Sequence, residues 1–384
     1  VVLMAPNGLT KYILVLILGN FSMYEITIYP NTIAPWFAQV YAGMYNLKKN
    51  GEVRISISTE PKYPILMDGT SLAIDVYDKE SDIKKSILID LNDNRGFAVP
   101  EVVDWFDVIV KRSYLPSRLD ELPKYAKEKV IPYGINFNCG SSQIPILNVF
   151  LSHHLTRARS FKIGGEKRHS IRAQHQLRFL FYIFRNNLSL NEEDFLCSPY
   201  NSTKYGVFFL TRMYEYRGGR EVFRERDRIY GERIKLVSTL MREFGSRFFG
   251  GIVDSDISRK YCPKDLLCKK LSRREFVSTL KNSDISINTL GAGMSNPWKL
   301  GESMAAARCI VSEPLEYKLP VDLKDGENFK LFRSIDDCVS SCQDLLSKPS
   351  LVAEIKQNNF DYYNKYIKSD AIVRNMLKDC FEKK

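Results

Sequence analysis

The sequence predicts an α/β protein with two doubly wound, Rossmann-like domains that face each other across a cleft. Apolar strand-like runs alternate with amphipathic helical runs. They do so in two cycles. A polar stretch at 186–203, "NNLSLNEEDFLCSPYNST", lies between the cycles and is a candidate linker. The length of 384 residues suits two domains of ordinary size. We place the first domain at 1–190, the second at 203–365 and a final helix at 366–384.

The first cycle starts with "KYILVLILG" (11–19), which predicts a buried strand because its apolar run is too short to span a bilayer. A signal-peptide segment stays open as the alternative, although no small-residue cleavage site clearly follows. The pattern then predicts a strand, a helix and a strand at 24–30, 32–51 and 52–58. Alternation around a charged turn predicts a hairpin over 72–91.

Two more strands are predicted at 105–114 and 129–137, and a basic block follows at 157–185. A helix over 171–185 would place basic side chains among apolar ones. Three interpretations stay open for it: a core helix with a basic solvated edge, a helix that lies on an anionic membrane, or a nucleic-acid-binding segment, which no zinc-finger spacing or RNP-like motif supports.

The second cycle begins with the strand-like run "KYGVFFLTRM" (204–213) and continues with a long basic helix (224–245). One face of that helix is apolar and carries Ile234, Val237, Leu240 and Met241. The remaining runs predict strands at 246–253 and 284–291, a short helix at 272–283 and successive helices over 335–367.

The amino-acid composition restricts the class of protein and the kinds of partner that it can bind. A hydrophobic fraction of 44% is enough for a packed core and excludes a disordered chain. The formal net charge of +11 suits an anionic partner, such as a nucleotide diphosphate, a lipid phosphate, an acidic membrane or nucleic acid. The eight cysteines form no CxxC pair, which predicts reduced thiols and a cytoplasmic protein.

One loop carries the strongest site signal. "TLGAGMSNP" follows a predicted strand and opens a helix, and Gly291 and Gly293 allow its backbone to approach a ligand closely. The free amides of a helix N-terminus attract anions, and Lys299 would add a full positive charge. Glu302, one turn further on, would accept hydrogen bonds from the vicinal hydroxyls of a ribose. The simpler explanation is a surface Lys/Glu pair at i,i+3.

These motifs resemble the donor-binding half of GT-B glycosyltransferases. The resemblance rests on "DISINTLGAGMSNPWKLGESMAAARCIVSEPLEY" and "DGENFKLFRSIDDCVSSCQDLL", with "VFFLTRMYE" and "EFGSRFFGGI" matching the start of that domain. It covers roughly 203–370, and the earlier half matches only in its α/β pattern. By the same analogy, the final helix would pack back on the first domain.

The resemblance implies roles for individual residues. Glu302 would hold the ribose of a sugar nucleotide, and Lys299 would lie near its diphosphate or sugar. The amides of 291–296, which include Gly291, Gly293 and Asn296, would face the same group. Arg212 would neutralise the diphosphate leaving group, since cations stabilise charge that develops as the glycosidic bond breaks. A surface arginine at a strand end is the competing explanation for Arg212.

Met294 departs from the pattern of many retaining members, which have a glutamate at that position. Retaining and inverting chemistry therefore both stay open. An inverting enzyme needs a general base in the first domain, for which Asp68 in "LMDGTS" and His153 in "SHHL" are the candidates. An ordinary Asp-Gly turn and a structural histidine are the competing explanations. "VDSD" (253–256) superficially matches a metal motif of another glycosyltransferase fold, but we expect an acidic loop and no metal.

The sequence thus predicts a metal-independent glycosyltransferase without a cofactor, with a nucleotide sugar as co-substrate and UDP-sugar favoured. The acceptor would be a glycan or lipid-linked saccharide, with possible peripheral contact to an anionic membrane. A nucleotide-sugar epimerase on the same fold is the alternative enzyme. A basic membrane-surface or nucleic-acid-binding protein is the alternative outside enzymes, although zinc-finger spacing and RNP-like aromatic motifs are missing from the sequence.

Overall fold

The computed structural model describes residues 23–29, 35–58, 62–63, 71–92, 100–120, 122–140, 190–214, 220–291 and 294–382. Within them the chain forms two six-stranded sheets with helices packed on them, which is the predicted pair of Rossmann-like α/β domains. Several predictions lie outside the described residues: the strand at 11–19, the basic block at 157–185, Asp68, His153 and Gly293.

The first sheet is mixed. Its strands are β1 (Tyr24–Tyr29), β2 (Val53–Ile57), β3 (Ser71–Asp78), β4 (Ile83–Asp90), β5 (Val108–Lys111) and β6 (Val130–Pro132), in the order β2-β1-β3-β4-β5-β6. The predicted hairpin at 72–91 is present as β3 and β4. Strand β3 runs antiparallel to both of its neighbours, whereas the other five strands run in one direction.

Short helices connect these strands. Helix α1 (Ala38–Lys49) follows a 3-10 turn at Pro35–Phe37 and joins β1 to β2, within the predicted helical range of 32–51. A further 3-10 turn lies at Pro100–Trp105, and two short helices, α2 (Pro116–Leu119) and α3 (Lys124–Lys127), join β5 to β6.

The second sheet is parallel throughout. Its strands are β7 (Tyr205–Thr211), β8 (Phe248–Val253), β9 (Leu267–Cys268), β10 (Ser283–Asn288), β11 (Cys309–Ser312) and β12 (Lys330–Leu331), in the order β12-β11-β10-β7-β8-β9. This is the six-strand Rossmann order, whose direction of travel reverses between β7 and β10. Ligands of such sheets bind beyond the carboxyl ends of the two strands at that switch point.

The helices of this domain follow the predicted alternation. They are α4 (Glu192–Phe195), α5 (Arg220–Phe244), α6 (Asp256–Tyr261), α7 (Arg273–Lys281), α8 (Trp298–Ala305), α9 (Ile335–Ser347) and α10 (Pro349–Tyr362). Val237 and Leu240 of α5 are buried in the core of this domain, and Ile234 and Met241 pack against it, as the apolar face predicts. Helix α7 begins at a capping box, in which Ser272 and Glu275 satisfy each other's backbone amides.

The chain crosses back to the first domain at its end. A π-helical turn (Tyr363–Ile367) follows α10, and α11 (Ser369–Glu382) packs on α1 and joins the core of the first sheet. The contact is close at Gly43, because a Cβ there would lie 2.0 Å from the carbonyl oxygen of Ser369.

The stretch predicted as a linker is partly buried. Phe195 and Cys197 are buried, and the carboxylate of Glu192 accepts hydrogen bonds from the hydroxyl of Tyr363 and from the amide and hydroxyl of Ser369. Among the described residues, no helix is long and apolar enough to cross a membrane.

Candidate functional site

The carboxyl ends of the two sheets meet at a small pocket. Residues that follow β5 and β6 line one side, and the loop that follows β10 lines the other. The lining residues are Arg112, Ser113, Gly134, Ile135, Asn136, Ser295, Asn296 and Tyr317. Helix α8 also contacts the first domain directly, because a Cβ at Gly301 would lie 3.0 Å from the ring of Phe137. The switch point of the second sheet therefore opens onto the cleft between the domains.

Lys299 lies at the carboxyl end of β7, the strand on one side of the switch point. Its Nζ donates to the carbonyl oxygen of Leu210 at 2.9 Å and lies 4.6 Å from the centre of the Phe209 ring. Burial, and then the positive charge of Arg233, lower the pKa of Lys299 to about 7, while the charge of Glu302 acts in the opposite direction. The positive charge of Arg233 thus acts on an ammonium whose hydrogen-bond partner is a main-chain oxygen.

Two arginines complete the positive region. Arg233 of α5 is buried, and its guanidinium donates to the carbonyl oxygen of Arg212. Arg212 directly follows β7 and is exposed, and its side chain forms no hydrogen bond or ion pair with the described residues. The structure thus brings Arg212, Arg233 and the ammonium of Lys299 to the same strand end.

Glu302 is buried on α8, but its partner is not Lys299. Its Oε1 accepts a hydrogen bond of 2.6 Å from Arg273 of α7. Arg273 also donates to the carbonyl oxygen of Asn138, on the first-domain side, at 3.4 Å. Within the described chain, Lys299 and Glu302 form no ion pair, so a simple surface pair at i,i+3 does not explain these two residues.

The loop before α8 is a closed turn. The amide of Gly291 donates to the carbonyl oxygen of Ser295, and the amide of Met294 donates to the carbonyl oxygen of Gly291. Met294, which stands where many retaining enzymes have glutamate, adopts a left-handed φ of 60°. The resemblance implied that the loop amides face a ligand, but the turn itself occupies these two amides.

Asn296 lies at the end of that loop and lines the interdomain pocket. Its main-chain oxygen accepts a hydrogen bond of 2.7 Å from Arg112 of the first domain. Its side-chain oxygen is buried and has no hydrogen-bond donor among the described residues. The loop before α8 therefore contacts the first domain.

Two residues of this region were missed from the sequence. Arg112 follows β5, and burial lowers its pKa to about 10. Glu313 follows β11 and accepts a hydrogen bond of 2.6 Å from the amide of Leu290, while burial raises the pKa of its carboxyl group. Both occupy the position directly after an apolar strand, as Arg212 does, and that position is the sequence signal that could have identified them.

The acidic motif at 253–256 forms the start of a helix. Asp254 binds Arg259 through both carboxylate oxygens, at 2.6 and 3.0 Å, and Ser255 caps α6. Asp256 is exposed in the first turn of α6. In the part of the chain that the structure describes, no three acidic, histidine or cysteine side chains cluster in a way that suits a metal ion.

Known structures of similar fold include glycosyltransferases. The chain is similar to the C-terminal domain of the group 1 family glycosyl transferase LpcC from Francisella tularensis, with 16% identity and a TM-score of 0.32, over 47% of this chain and 99% of that one. It is similar to a glycosyltransferase from Rickettsia africae, with 10% identity and a TM-score of 0.39, over 75% of this chain and 69% of that one.

A UDP-GlcNAc 2-epimerase from Neisseria meningitidis, bound to UDP-GlcNAc, is similar as well, with 14% identity and a TM-score of 0.32, over 72% of this chain and 62% of that one. Against the structure of TarM, the match spans only 36% of that chain. No protein-family model and no curated protein sequence matches the chain. At these identities and TM-scores the similarities assign no ligand, so the argument for a ligand comes from the site itself.

Proposed function

We propose that this protein is a glycosyltransferase that binds a nucleotide sugar, with UDP-sugar favoured, at the switch point of the second sheet. It would transfer the sugar to a hydroxyl of a glycan or lipid-linked saccharide held by the first domain. One observation carries the proposal: the half-buried Lys299 and the buried Arg233 donate to main-chain oxygens two residues apart, those of Leu210 and Arg212, at the carboxyl end of β7.

Among the described residues, no carboxylate forms an ion pair with the ammonium of Lys299. Two neighbouring cations repel each other, and burial removes the water that would screen them. The carboxylate of Glu302 is engaged by Arg273 rather than by either cation. A diphosphate placed beyond β7 would neutralise Lys299 and Arg233 together, and the exposed Arg212 would reach its outer oxygens.

Glu302 supports a nucleotide rather than inorganic phosphate. Arg273 occupies Oε1 of this buried carboxylate, and Oε2 accepts no hydrogen bond from the described residues. A carboxylate oxygen one helical turn beyond Lys299 suits a ribose hydroxyl. The ribose and the diphosphate would then lie side by side along α8.

The reaction would break the bond between the sugar C1 and the diphosphate oxygen and form a bond from C1 to the acceptor oxygen. The cations stabilise the negative charge that develops on the departing diphosphate. The acceptor hydroxyl must lose its proton to a base, and Asp68 and His153 remain the predicted candidates. The loop position that holds glutamate in many retaining enzymes carries Met294 here, so this part of the loop provides no carboxylate to the sugar.

Titration calorimetry of UDP into the wild type and two charge-matched variants tests the donor site. We expect Lys299→Met to weaken UDP binding by about tenfold or more, because a charge-assisted hydrogen bond to phosphate is lost. Lys235→Met removes the same charge from an exposed position on α5 and should leave the dissociation constant within about twofold. Equal affinities in all three proteins would remove Lys299 from the site.

Turnover separates the two enzyme classes that the sequence left open. A glycosyltransferase releases UDP from a UDP-sugar faster when a saccharide acceptor is added. An epimerase converts the sugar of the same donor without any acceptor, which nuclear magnetic resonance of the product would reveal.

Glu302→Gln should weaken UDP binding while sparing binding of inorganic pyrophosphate, which has no ribose.

A further inference from the structure

The guanidinium of Arg273 is held in one place at the border between the two domains. It donates to Oε1 of Glu302 at 2.6 Å and to the carbonyl oxygen of Asn138 at 3.4 Å. Its carbon Cζ lies 5.0 Å from the ring centre of Phe195 and 5.5 Å from that of Phe276. Because a guanidinium is planar, two hydrogen bonds and two aromatic neighbours together leave it little freedom to rotate.

The main chain at Arg273 is fixed as well, because Arg273 is the first residue of α7. The hydroxyl of Ser272 accepts a hydrogen bond from the amide of Glu275 at 3.2 Å, and the carboxylate of Glu275 accepts one from the amide of Ser272 at 2.7 Å. This capping box anchors the first turn of the helix. Arg274, the next residue, is exposed and forms no hydrogen bond or ion pair with the described residues. The first turn of α7 therefore directs Arg273, and not Arg274, to Glu302.

Glu302 differs from Glu192, which is also a buried glutamate. Glu192 uses both carboxylate oxygens within the protein, since Oε1 accepts from Tyr363 and from the amide of Ser369, and Oε2 accepts from the hydroxyl of Ser369. The side chain of Glu302 is 5% exposed, and only its Oε1 accepts a hydrogen bond from a described residue, Arg273. The second oxygen of Glu302 is therefore available to a donor from outside the protein.

The contact with Arg273 prepares Glu302 for such a donor. A glutamate side chain rotates about several bonds, and ordering it when a ligand binds opposes affinity. Because Arg273 already holds Oε1, most of this ordering is complete in the free protein. A carboxylate oxygen only accepts hydrogen bonds, so its ligand must present O–H or N–H groups. The vicinal hydroxyls of a ribose are such groups.

We propose that Arg273 is a positioning residue, which holds Oε1 of Glu302 so that Oε2 meets the ribose hydroxyls and the site selects ribonucleotides over deoxyribonucleotides. This role rests on the proposed function, in which Glu302 binds the ribose of the donor. Arg273 acts through Glu302 rather than by touching the nucleotide. Since Arg273 also contacts the carbonyl oxygen of Asn138, the first domain contributes to the orientation of Glu302.

Calorimetric titration of UDP, 2′-deoxy-UDP and 3′-deoxy-UDP into the wild type and Arg273→Met tests this role. Selectivity is the dissociation constant of the weaker-binding deoxy analogue divided by that of UDP. We expect a selectivity of about tenfold in the wild type, as for one hydrogen bond to a charged acceptor, and below about threefold in Arg273→Met. Inorganic pyrophosphate has no ribose and should bind both proteins equally, because the phosphate-binding cations are unchanged.

Two further variants separate the role of Arg273 from effects of charge and of folding. Arg274→Met removes the same charge from the adjacent exposed position and should keep the selectivity of the wild type. Arg273→Lys keeps a cation for the buried carboxylate of Glu302 and replaces Arg273→Met in the test if that variant does not fold. An ammonium lacks the planar fork of arginine, so the selectivity of Arg273→Lys should also fall below that of the wild type.

A double variant shows whether Arg273 acts through Glu302. Glu302→Gln alone should lower the selectivity, and adding Arg273→Met to it should lower the selectivity no further, because the two residues serve one contact. Losses that add up in the double variant would show that Arg273 affects the nucleotide independently of Glu302, which overturns the positioning role.

The positioning role is also refuted if a folded Arg273 variant selects between UDP and its deoxy analogues as the wild type does, or if pyrophosphate binding falls together with selectivity. In these cases UDP still binds the wild type, so the proposed function survives. If UDP does not bind the wild type at all, the proposed function fails and the positioning role fails with it.

Discussion

Each domain places a lysine ammonium at the carboxyl end of a strand, Lys111 fully buried and Lys299 half-buried, and the two lysines have opposite surroundings. In the first domain, Nζ of Lys111 contacts Oδ2 of Asp90 at 2.8 Å, and both side chains are 2% exposed. In the second domain, Nζ of Lys299 has a carbonyl oxygen as its partner and the guanidinium of Arg233 nearby. The first lysine has a carboxylate partner, whereas no carboxylate among the described residues forms an ion pair with Lys299. The first strand end therefore forms a buried ion pair, whereas the second is where the proposed function places a ligand.

The same substitution at the two lysines should therefore have opposite effects on stability, and the larger effect is expected in the first domain. Lys111→Met leaves Asp90 as an unpaired buried carboxylate, which costs about 3–5 kcal/mol of unfolding free energy. Urea unfolding followed by circular dichroism would measure this loss. The double variant Lys111→Met/Asp90→Asn removes the stranded charge and should recover most of the stability. A loss below about 1 kcal/mol would mean that the pair is not a closed structural unit.

Lys299→Met should instead stabilise the protein in the absence of ligand, by about 1–2 kcal/mol at pH 7. Methionine retains the apolar stem and removes an ammonium whose burial is unfavourable. The folded state lowers the pKa of Lys299 from its ordinary value of 10.5 to about 7. The unfolded chain therefore binds more protons between these values, so the penalty is complete below pH 7 and shrinks as the pH rises.

Thermal unfolding at pH 7 and pH 9 tests both parts of this expectation. The stability gained by Lys299→Met should be smaller at pH 9 than at pH 7. If Lys299→Met is less stable than the wild type, Lys299 stabilises the fold, as Lys111 does. The two strand ends would then not differ in the way proposed here.

The two strand ends also show which features of the site can be predicted from the sequence and which cannot. The positions of Lys299 and Glu302 were predicted because a glycine-bearing loop between a strand and a helix is a local pattern. Their partners were not predicted, because Leu210 lies 89 residues from Lys299 and Arg273 lies 29 residues from Glu302.

Arg112 shows the same limit across the two domains. It contacts the carbonyl oxygen of Asn296 over a separation of 184 residues. Local patterns predict that a charged residue ends a strand, but only the packing of the two domains decides what it faces. The alternation of strands and helices was predictable for the opposite reason, since it depends on hydrophobic periodicity within each segment.

The dependence of UDP affinity on pH tests the electrostatic side of the contrast most directly. Because the pKa of Lys299 is about 7, much of this lysine is neutral above that pH in the free protein. A bound diphosphate favours the ammonium, so binding takes up a proton. The dissociation constant should then rise between pH 7 and pH 9, by at most about tenfold per pH unit, or about 1.4 kcal/mol.

Calorimetry in two buffers of different ionisation enthalpy would count the protons taken up at pH 8. We expect nearly one proton for the wild type and for Lys235→Met, and none for Lys299→Met. The phosphate groups of UDP do not explain such an uptake, because their last pKa lies near 6. Proton uptake that persists in Lys299→Met would assign the titration to another group. The lowered pKa of Lys299 would then no longer distinguish the second strand end from the first.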